Sequence, residues 1–281
     1  MKGVIVAAGY GTRFLPVTKT VPKEMLPLVT RPSIGFIVDE FVASGITEIL
    51  FITSRRKKAL EDYFDREMEM EAVFKAGGEA AKLAAIEPPR ATCYFVRQSE
   101  MRGTGHALLL ARSFVGAEPF VVAYPDDLHF GEVPLARQLI QTWETTGCTV
   151  LATLHDPPDV NRYGLISIAD DGLHVTGIIE KPPRGSEPSR EASIGRFLYT
   201  PDFMDELALQ WKGHGTGEFF HTPAVLALAR RGRVVYKRVE GERLDTGEPA
   251  GYLEAILRYA DTVPELRKAL DRIIATRRPT A

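Results

Sequence analysis

The chain has two cysteines in 281 residues, too few for a disulfide framework or a cysteine-rich metal cluster. Both sit in runs that read as strands, Cys93 in ATCYFV and Cys148 in CTVLATL, so they are expected as buried thiols outside the chemistry. Long hydrophobic runs are missing as well. No apolar stretch approaches the roughly 18 residues of a spanning helix, and Met1-Lys2-Gly3 runs straight into a strand without the apolar region of a signal peptide. A cytoplasmic location is the expectation. An excess of either charge is also absent: 35 Lys and Arg against 37 Asp and Glu leave a formal charge of -2, which supplies no global field toward nucleic acid or an anionic membrane. Any anion site must then be local.

What is present is alternation. VIVAA, EILFIT, ATCYFVRQ, PFVVAYP and CTVLATLH read as strands. Between them lie SIGFIVDEFVASG, closed by Gly45, charged helical material from about Arg56 to Glu87, HALLLARSFV (106 to 115) and PLARQLIQTWETTG. Such an order predicts an α/β fold, a parallel sheet with helices on both faces. The order then changes: YGLISIAD and LHVTGIIE flank Asp171-Gly172, a hairpin signal, so an antiparallel element is added to the sheet. IGRFLYT and VVYKRVEG read as further strands, PDFMDELALQW as a helix, and two helices over about 249–277 close the chain. With no internal repeat and no long linker, residues 1–281 read as one domain. The loops expected to move are 182–193 and 212–217, both rich in small and turn-forming residues.

The first strand empties into Gly9-Tyr10-Gly11-Thr12-Arg13, followed by three prolines and Lys23. A P-loop is excluded, because no Gly-Lys-Ser/Thr follows at the required spacing. A dinucleotide fingerprint, and with it a dinucleotide-dependent oxidoreductase, is undermined by Phe14 at the third glycine position and by Pro16 and Pro22, which stop an immediate helix. What remains is a loop whose small residues, Ala8, Gly9, Gly11 and Thr12, let backbone N–H groups approach a ligand, with Arg13 and Lys23 supplying cationic charge. A triphosphate suits it.

The run A-A-G-x-G-T-R-x-x-P-x-T-K-x-x-P-K-E-M-L-P from Ala7 to Pro27 resembles the signature of bacterial UTP-glucose-1-phosphate uridylyltransferases, within the wider sugar-1-phosphate nucleotidyltransferases. The likeness continues through VRQSEMRGTGHA (96–107), PDDL (125–128), YGLI (163–166), EKP (180–182), IGRF (194–197) and LDTGEPAGYLEA (244–255), six motifs in the family's order. It implies a Rossmann-like three-layer nucleotidyltransferase fold, a mixed, mostly parallel sheet with a small antiparallel sugar-side lobe. It implies uridylyl transfer from UTP to glucose 1-phosphate, magnesium as cofactor, and a homodimer or homotetramer.

Joining a sugar phosphate to the α-phosphorus of UTP needs no general base, because a phosphate monoester with a second pKa near 6 is already largely ionised at neutral pH. The obstacle is repulsion between polyanions, so cations, metal and positioning are the expected tools. Asp126 and Asp127 follow the strand FVVAY, where open sheets collect ligands, and side-chain alternation turns only one of them toward a metal. The resemblance assigns that role to Asp126, pairs it with Asp245, and gives Lys181 the sugar phosphate and Glu180 the sugar hydroxyls. Adjacent strand residues point to opposite sides, so the last two require a backbone bend at Pro182. The Gln98 amide matches the O4 and N3–H edge of uracil, and equally of thymine, so it does not separate UTP from dTTP. Gly103 would let main chain approach the base or ribose, and Gly164 and Gly195 would do the same for the sugar. His106 reads as a helix-start residue, and Arg162 and Arg196 carry no assignment.

One segment departs. Where such enzymes usually carry G-E-I-Q-L-T-D-A, this chain has Gly217-Glu218-Phe219-Phe220-His221-Thr222-Pro223-Ala224. Thr222 reads as an N-cap with Pro223 in the first helical turn. Two aromatic rings and a histidine alter the polarity expected beside the sugar, which opens the choice of hexose. The readings left standing are uridylyl transfer to glucose 1-phosphate, transfer by a thymidylyltransferase or to another hexose phosphate, and a non-catalytic sugar-nucleotide-binding regulator.

Overall fold

A computed structural model describes residues 1–276. Its first half runs β1 (Lys2–Val6), β2 (Pro27–Leu28), β3 (Arg31–Pro32), α1 (Ser33–Ala43), β4 (Glu48–Thr53), α2 (Lys58–Phe64), α3 (Met68–Ala76), α4 (Ala80–Ala85), β5 (Thr92–Arg97), α5 (Gly103–Leu109), α6 (Arg112–Val115), β6 (Phe120–Ala123) and β7 (Asp127–Phe130). The second half continues α7 (Leu135–Thr146), β8 (Thr149–His155), β9 (Gly164–Ile168), β10 (Val175–Glu180), β11 (Glu191–Tyr199), α8 (Pro201–Lys212), α9 (Thr222–Ala229), β12 (Val234–Arg238), β13 (Glu242–Asp245), α10 (Pro249–Thr262) and α11 (Pro264–Thr276). Position 277, the expected end of the last helix, lies outside the described residues.

Nine strands form one sheet. β5, β4, β1 and β6 run parallel side by side, as strands separated by crossover helices must. β11 then enters antiparallel beside β6 and also pairs with β8 and β9, whose hairpin partner β10 forms the sheet's far edge. The expected antiparallel element is therefore continuous with the main sheet. Alternating side chains serve two cores. Ile5, Ile49 and Phe51 pack with α1 residues Ile34, Ile37 and Phe41 on one face. Val4, Leu50 and Ile52 pack with Leu108, Phe203 and Leu228 from α5, α8 and α9 on the other. Both faces being covered explains why these strands are almost wholly apolar.

The structure departs from the sequence reading in local ways. The charged stretch after Arg56 breaks into the three short helices α2 to α4. α5 begins at Gly103, so His106 lies inside the helix and not at its start. Thr222 is the first residue of α9 and does not cap it; His221 holds the cap position without a side-chain cap bond, since its ring is engaged elsewhere. β7 and β13, too short and too polar to stand out, pair antiparallel as a two-stranded ribbon. Cys148 is buried and Cys93 half-buried, with burial pushing the Cys93 thiol up to about 11, in keeping with inert thiols.

Candidate active site

Three cavities open along the carboxyl ends of the parallel strands, where an open sheet changes direction between β1 and β6. They share walls. Tyr124 lines all three, Asp126 divides the first from the second, and Thr104 and Phe220 divide the first from the third.

The first cavity, about 270 Å³, lies between the opening loop and α5. Ala8, Gly9 and Lys23 form one wall, and Gln98, Met101 and Gly103 another. Gln98 is buried, and its Nε2 donates to Gly103 O and to His106 Nδ1, both at 3.1 Å. Those two bonds fix the amide so that its oxygen is the group left for a ligand's N–H. Gly103 is required for a reason the sequence did not disclose: it has φ +89° and a Cβ there would stand 2.6 Å from Phe219 O. The glycine makes room for the Phe219 main chain, which bonds back at Phe219 N to Arg102 O and from Gly105 N to Phe219 O. Gly11, in the left-handed region at φ 68°, turns the opening loop and packs on the Lys23 side chain. It and Thr12 are not among the lining residues.

The second cavity, about 580 Å³, gathers charge: Arg13, Asp126, Arg162, Lys181, Arg243 and Asp245 line it. Lys23 Nζ donates to Asp126 Oδ2 from the first cavity's side. Burial opposes ionisation of Asp126, but the neighbouring Lys23 outweighs it and holds the carboxyl below its ordinary range. Burial likewise opposes the Lys23 charge, and Asp126 reverses that, holding the ammonium above its ordinary value. Arg13 reaches Gly247 O at 3.4 Å, so the opening loop touches the LDTG turn as well. The two neighbouring aspartates divide as side-chain alternation requires. Asp127 is consumed by structure, accepting from Gly195 N at 2.6 Å and Arg243 Nε at 2.6 Å, while Asp126 faces the cavity.

A divalent cation fits the donors here. Asp126 and Asp245 come from β6 and β13 ends that the β7–β13 ribbon holds together, with Asp245 opposite Asp127 in register. Both carboxylates bracket Gly247: a Cβ built there would lie 2.8 Å from Asp126 Oδ2 and 3.0 Å from Asp245 Oδ1. Among the described residues no group of three or more His, Cys, Asp or Glu is arranged to hold a metal ion by itself. Two carboxylates with space for substrate oxygens is the donor set magnesium accepts, whereas a closed transition-metal site needs more.

The third cavity, about 670 Å³, is entered past Glu180 and Lys181. Their predicted bend exists, one residue early: Lys181 itself has φ 45°, and its N–H donates to Tyr163 O at 3.0 Å. Both side chains consequently line the same cavity. Gly164 and Gly195 line it too; added Cβ atoms would meet Glu180 Oε2 at 2.9 Å and Asp127 Oδ2 at 2.8 Å, so these glycines seat the acidic side chains. Phe219, expected beside this cavity, instead turns into the core against Trp211, while Phe220, His221 and Pro223 do line it.

Sequence reasoning missed Arg243, Tyr163 and Tyr124. Arg243 joins Asp127 to the Tyr163 hydroxyl at 2.9 Å and to Asp245 at 3.4 Å, held above its ordinary value by those acids despite burial. Its signal was present in ERLD, two residues before Asp245 on the same face of a strand. Of the unassigned arginines, Arg162 pairs with Glu248 at 2.8 Å, and Arg196 is fully buried on Glu40 at 2.9 and 3.1 Å, a structural pair.

The nucleotidyl transferase family model matches residues 2–262. The chain belongs to that family. UTP–glucose-1-phosphate uridylyltransferase 2 of Staphylococcus saprophyticus is 40% identical over 265 residues, covering 92% of this chain and 91% of that protein. Among solved structures, the UTP-bound UGPase from Acinetobacter baumannii superposes with a TM-score of 0.89 at 32% identity, covering 99% of each chain. A UDP-glucose pyrophosphorylase complexed with UDP-glucose reaches 0.79 at 34% identity, covering 93% of this chain and 99% of that one. The nucleotidyltransferase fold expected from the motifs is the fold observed.

Proposed function

We propose that this nucleotidyltransferase transfers uridylyl from UTP to glucose 1-phosphate, releasing pyrophosphate and forming UDP-glucose. The observation that carries this reading is the junction of three cavities at Tyr124, with Asp126 between the first two, each with different chemistry: an amide-lined slot, a charged cleft, and a roomy pocket guarded by Glu180 and Lys181. Names of the similar enzymes supply the substrates.

In this account the uracil edge meets Gln98, whose free amide oxygen accepts N3–H. The triphosphate lies along Ala8, Gly9 and Gly11, with Thr12 in the same turn and Arg13 and Lys23 offsetting its charge. Lys181 holds the sugar phosphate and Glu180 accepts from sugar hydroxyls, with Gly164 and Gly195 giving them space. A sugar-phosphate oxygen forms its bond to the α-phosphorus as the bond to the bridging oxygen breaks, and pyrophosphate leaves with that electron pair. Magnesium, held by Asp126 and Asp245, would supply charge stabilisation to the phosphoryl oxygens. Pre-set cations at both substrates lower the repulsion that opposes their approach. No proton has to move. Nucleic acid and membrane have no role in this scheme, a homodimer or homotetramer remains the family's implication, and no helix among the described residues is long and apolar enough to cross a membrane.

The test is product identity. Purified protein with magnesium, UTP and glucose 1-phosphate is expected to yield UDP-glucose and pyrophosphate in equal amounts; the same assay with dTTP tests the thymidylyltransferase alternative. UDP-glucose binding without product would favour the regulator instead.

A further inference from the structure

His221 carries a hydrogen-bond donor that no other described residue uses. It holds the position before α9, with its ring edge-on to Phe197 and Tyr199 at centroid distances of 5.3 and 6.4 Å. At one ring nitrogen, Thr104 Oγ1 and the Tyr124 hydroxyl converge on Nδ1 at 2.9 and 3.5 Å. Between them these hydroxyls have no acceptor outside the cluster among the described residues, so the Nδ1 lone pair is the one that takes their proton. Desolvation pushes the imidazole down to about 4, so the ring is neutral at ordinary pH and its single N–H sits on Nε2.

That Nε2 has no partner among the described residues. The unpartnered side-chain atoms sealed from solvent there are the Tyr199 hydroxyl and Asp202 Oδ1, so Nε2 is open, and it opens on the third cavity, which His221 lines. Thr222 Oγ1 is on the same wall, but a hydroxyl both donates and accepts, whereas an imidazole fixed through Nδ1 presents a donor alone. The oxygen that suits it is a neutral one. Desolvation accounts for the whole shift of the ring and no charged side chain contributes, while the cations fit for a phosphate, Arg162, Lys181 and Arg243, also line the charged cleft. With the sugar phosphate on Lys181, the oxygens left for this cavity are hexose hydroxyls. A buried donor without a partner is costly, which is why a site built to bond a hydroxyl rejects the analogue lacking it.

We propose that His221 Nε2–H donates to one hydroxyl oxygen of the acceptor hexose and makes the site select for that hydroxyl. The inference rests on the uridylyl-transfer reading and adds to it a specificity-determining residue. His221 stands at the leucine position of the G-E-I-Q-L-T-D-A motif, within the segment where this chain departs from it.

The test measures kcat/KM by pyrophosphate release for glucose 1-phosphate and its 2-, 3-, 4- and 6-deoxy derivatives, using the full chain with UTP and magnesium. Wild type is compared with His221→Leu and His221→Phe, two donor-free replacements whose fold is checked by circular dichroism, and with His221→Gln, whose amide still donates. At one position the wild-type penalty for losing the hydroxyl, about tenfold or more, is expected to shrink to within about twofold in the donor-free variants while the other penalties stand. His221→Gln is expected to keep part of that penalty. A merely structural role would weaken all the acceptors together. Penalties that change alike at every position, or at none, overturn the inference while turnover of glucose 1-phosphate leaves the parent reading intact. No release by the wild type with any acceptor overturns both.

Discussion

Lys23 Nζ donates a hydrogen bond to Asp126 Oδ2 across 103 positions of sequence. The contact ties the opening loop to the end of β6 and makes one cation serve two purposes: it sustains the Asp126 carboxylate and stands at the edge of the nucleotide cavity. Lys23→Met is therefore expected to lower kcat by about 10²-fold or more, the usual scale for losing a group that stabilises developing charge. Steady-state kinetics in UTP checks this, with circular dichroism to show a retained fold.

On the proposed reading acceptor binding is separable from nucleotide binding, because Glu180 lines the third cavity and Lys181 the second and third, while neither lines the first. Lys181→Met and Glu180→Gln should raise KM for glucose 1-phosphate about tenfold or more while UTP affinity by calorimetry stays near wild type. Equal weakening of both ligands would count against the partition of the cleft.

If Gln98 meets the base as proposed, His106 acts on it through Gln98. Since Gln98 Nε2 is a donor, His106 Nδ1 must accept, and this bond helps aim the amide oxygen into the cavity. His106→Phe should raise KM for UTP about tenfold with kcat at saturating UTP changed much less. His106→Asn, which can still accept, is expected to recover part of the loss; a purely structural role would show as a change in thermal midpoint instead.

His221 makes stability depend on pH. Its imidazole protonates near 6.5 in an unfolded chain and, desolvated in the fold, only near about 4. As pH falls through that window the unfolded chain takes up the proton first, so stability is lost, by at most about 3 kcal/mol and less where water reaches the ring. Above pH 6.5 the group contributes no slope. Denaturant melts from pH 7 to 4 should show His221→Leu flattening this part of the curve.

The strands and most helices were legible because strand alternation and glycine punctuation are local signals, and the family because its motifs are contiguous runs in a fixed order. That Asp126 and Asp127 would divide was legible, since adjacent residues on extended chain face opposite ways; which one faces the cavity came from the resemblance, and the structure shows Asp127 consumed by Gly195 and Arg243. Arg243 and Tyr163 escaped notice because their importance lies in partners distant in sequence. Phe219 misled for the opposite reason: its place in a familiar motif suggested the sugar, whereas Gly103 and Gly105 admit its main chain and its ring finds Trp211. The buried pair of Glu24 and Lys57, joined at 2.6 and 2.7 Å directly behind Lys23, was equally invisible to a reading by motif.

The central claim is that Asp126 serves a metal at the junction of nucleotide and sugar phosphate, and magnesium titration of pyrophosphate release in wild type and Asp126→Asn tests it most directly. The account predicts saturable magnesium dependence in the wild type. At the same magnesium concentration, it predicts a fall of about 10²-fold or more in kcat for the variant, with the fold and UTP binding kept. Wild-type turnover and magnesium dependence in Asp126→Asn would contradict it.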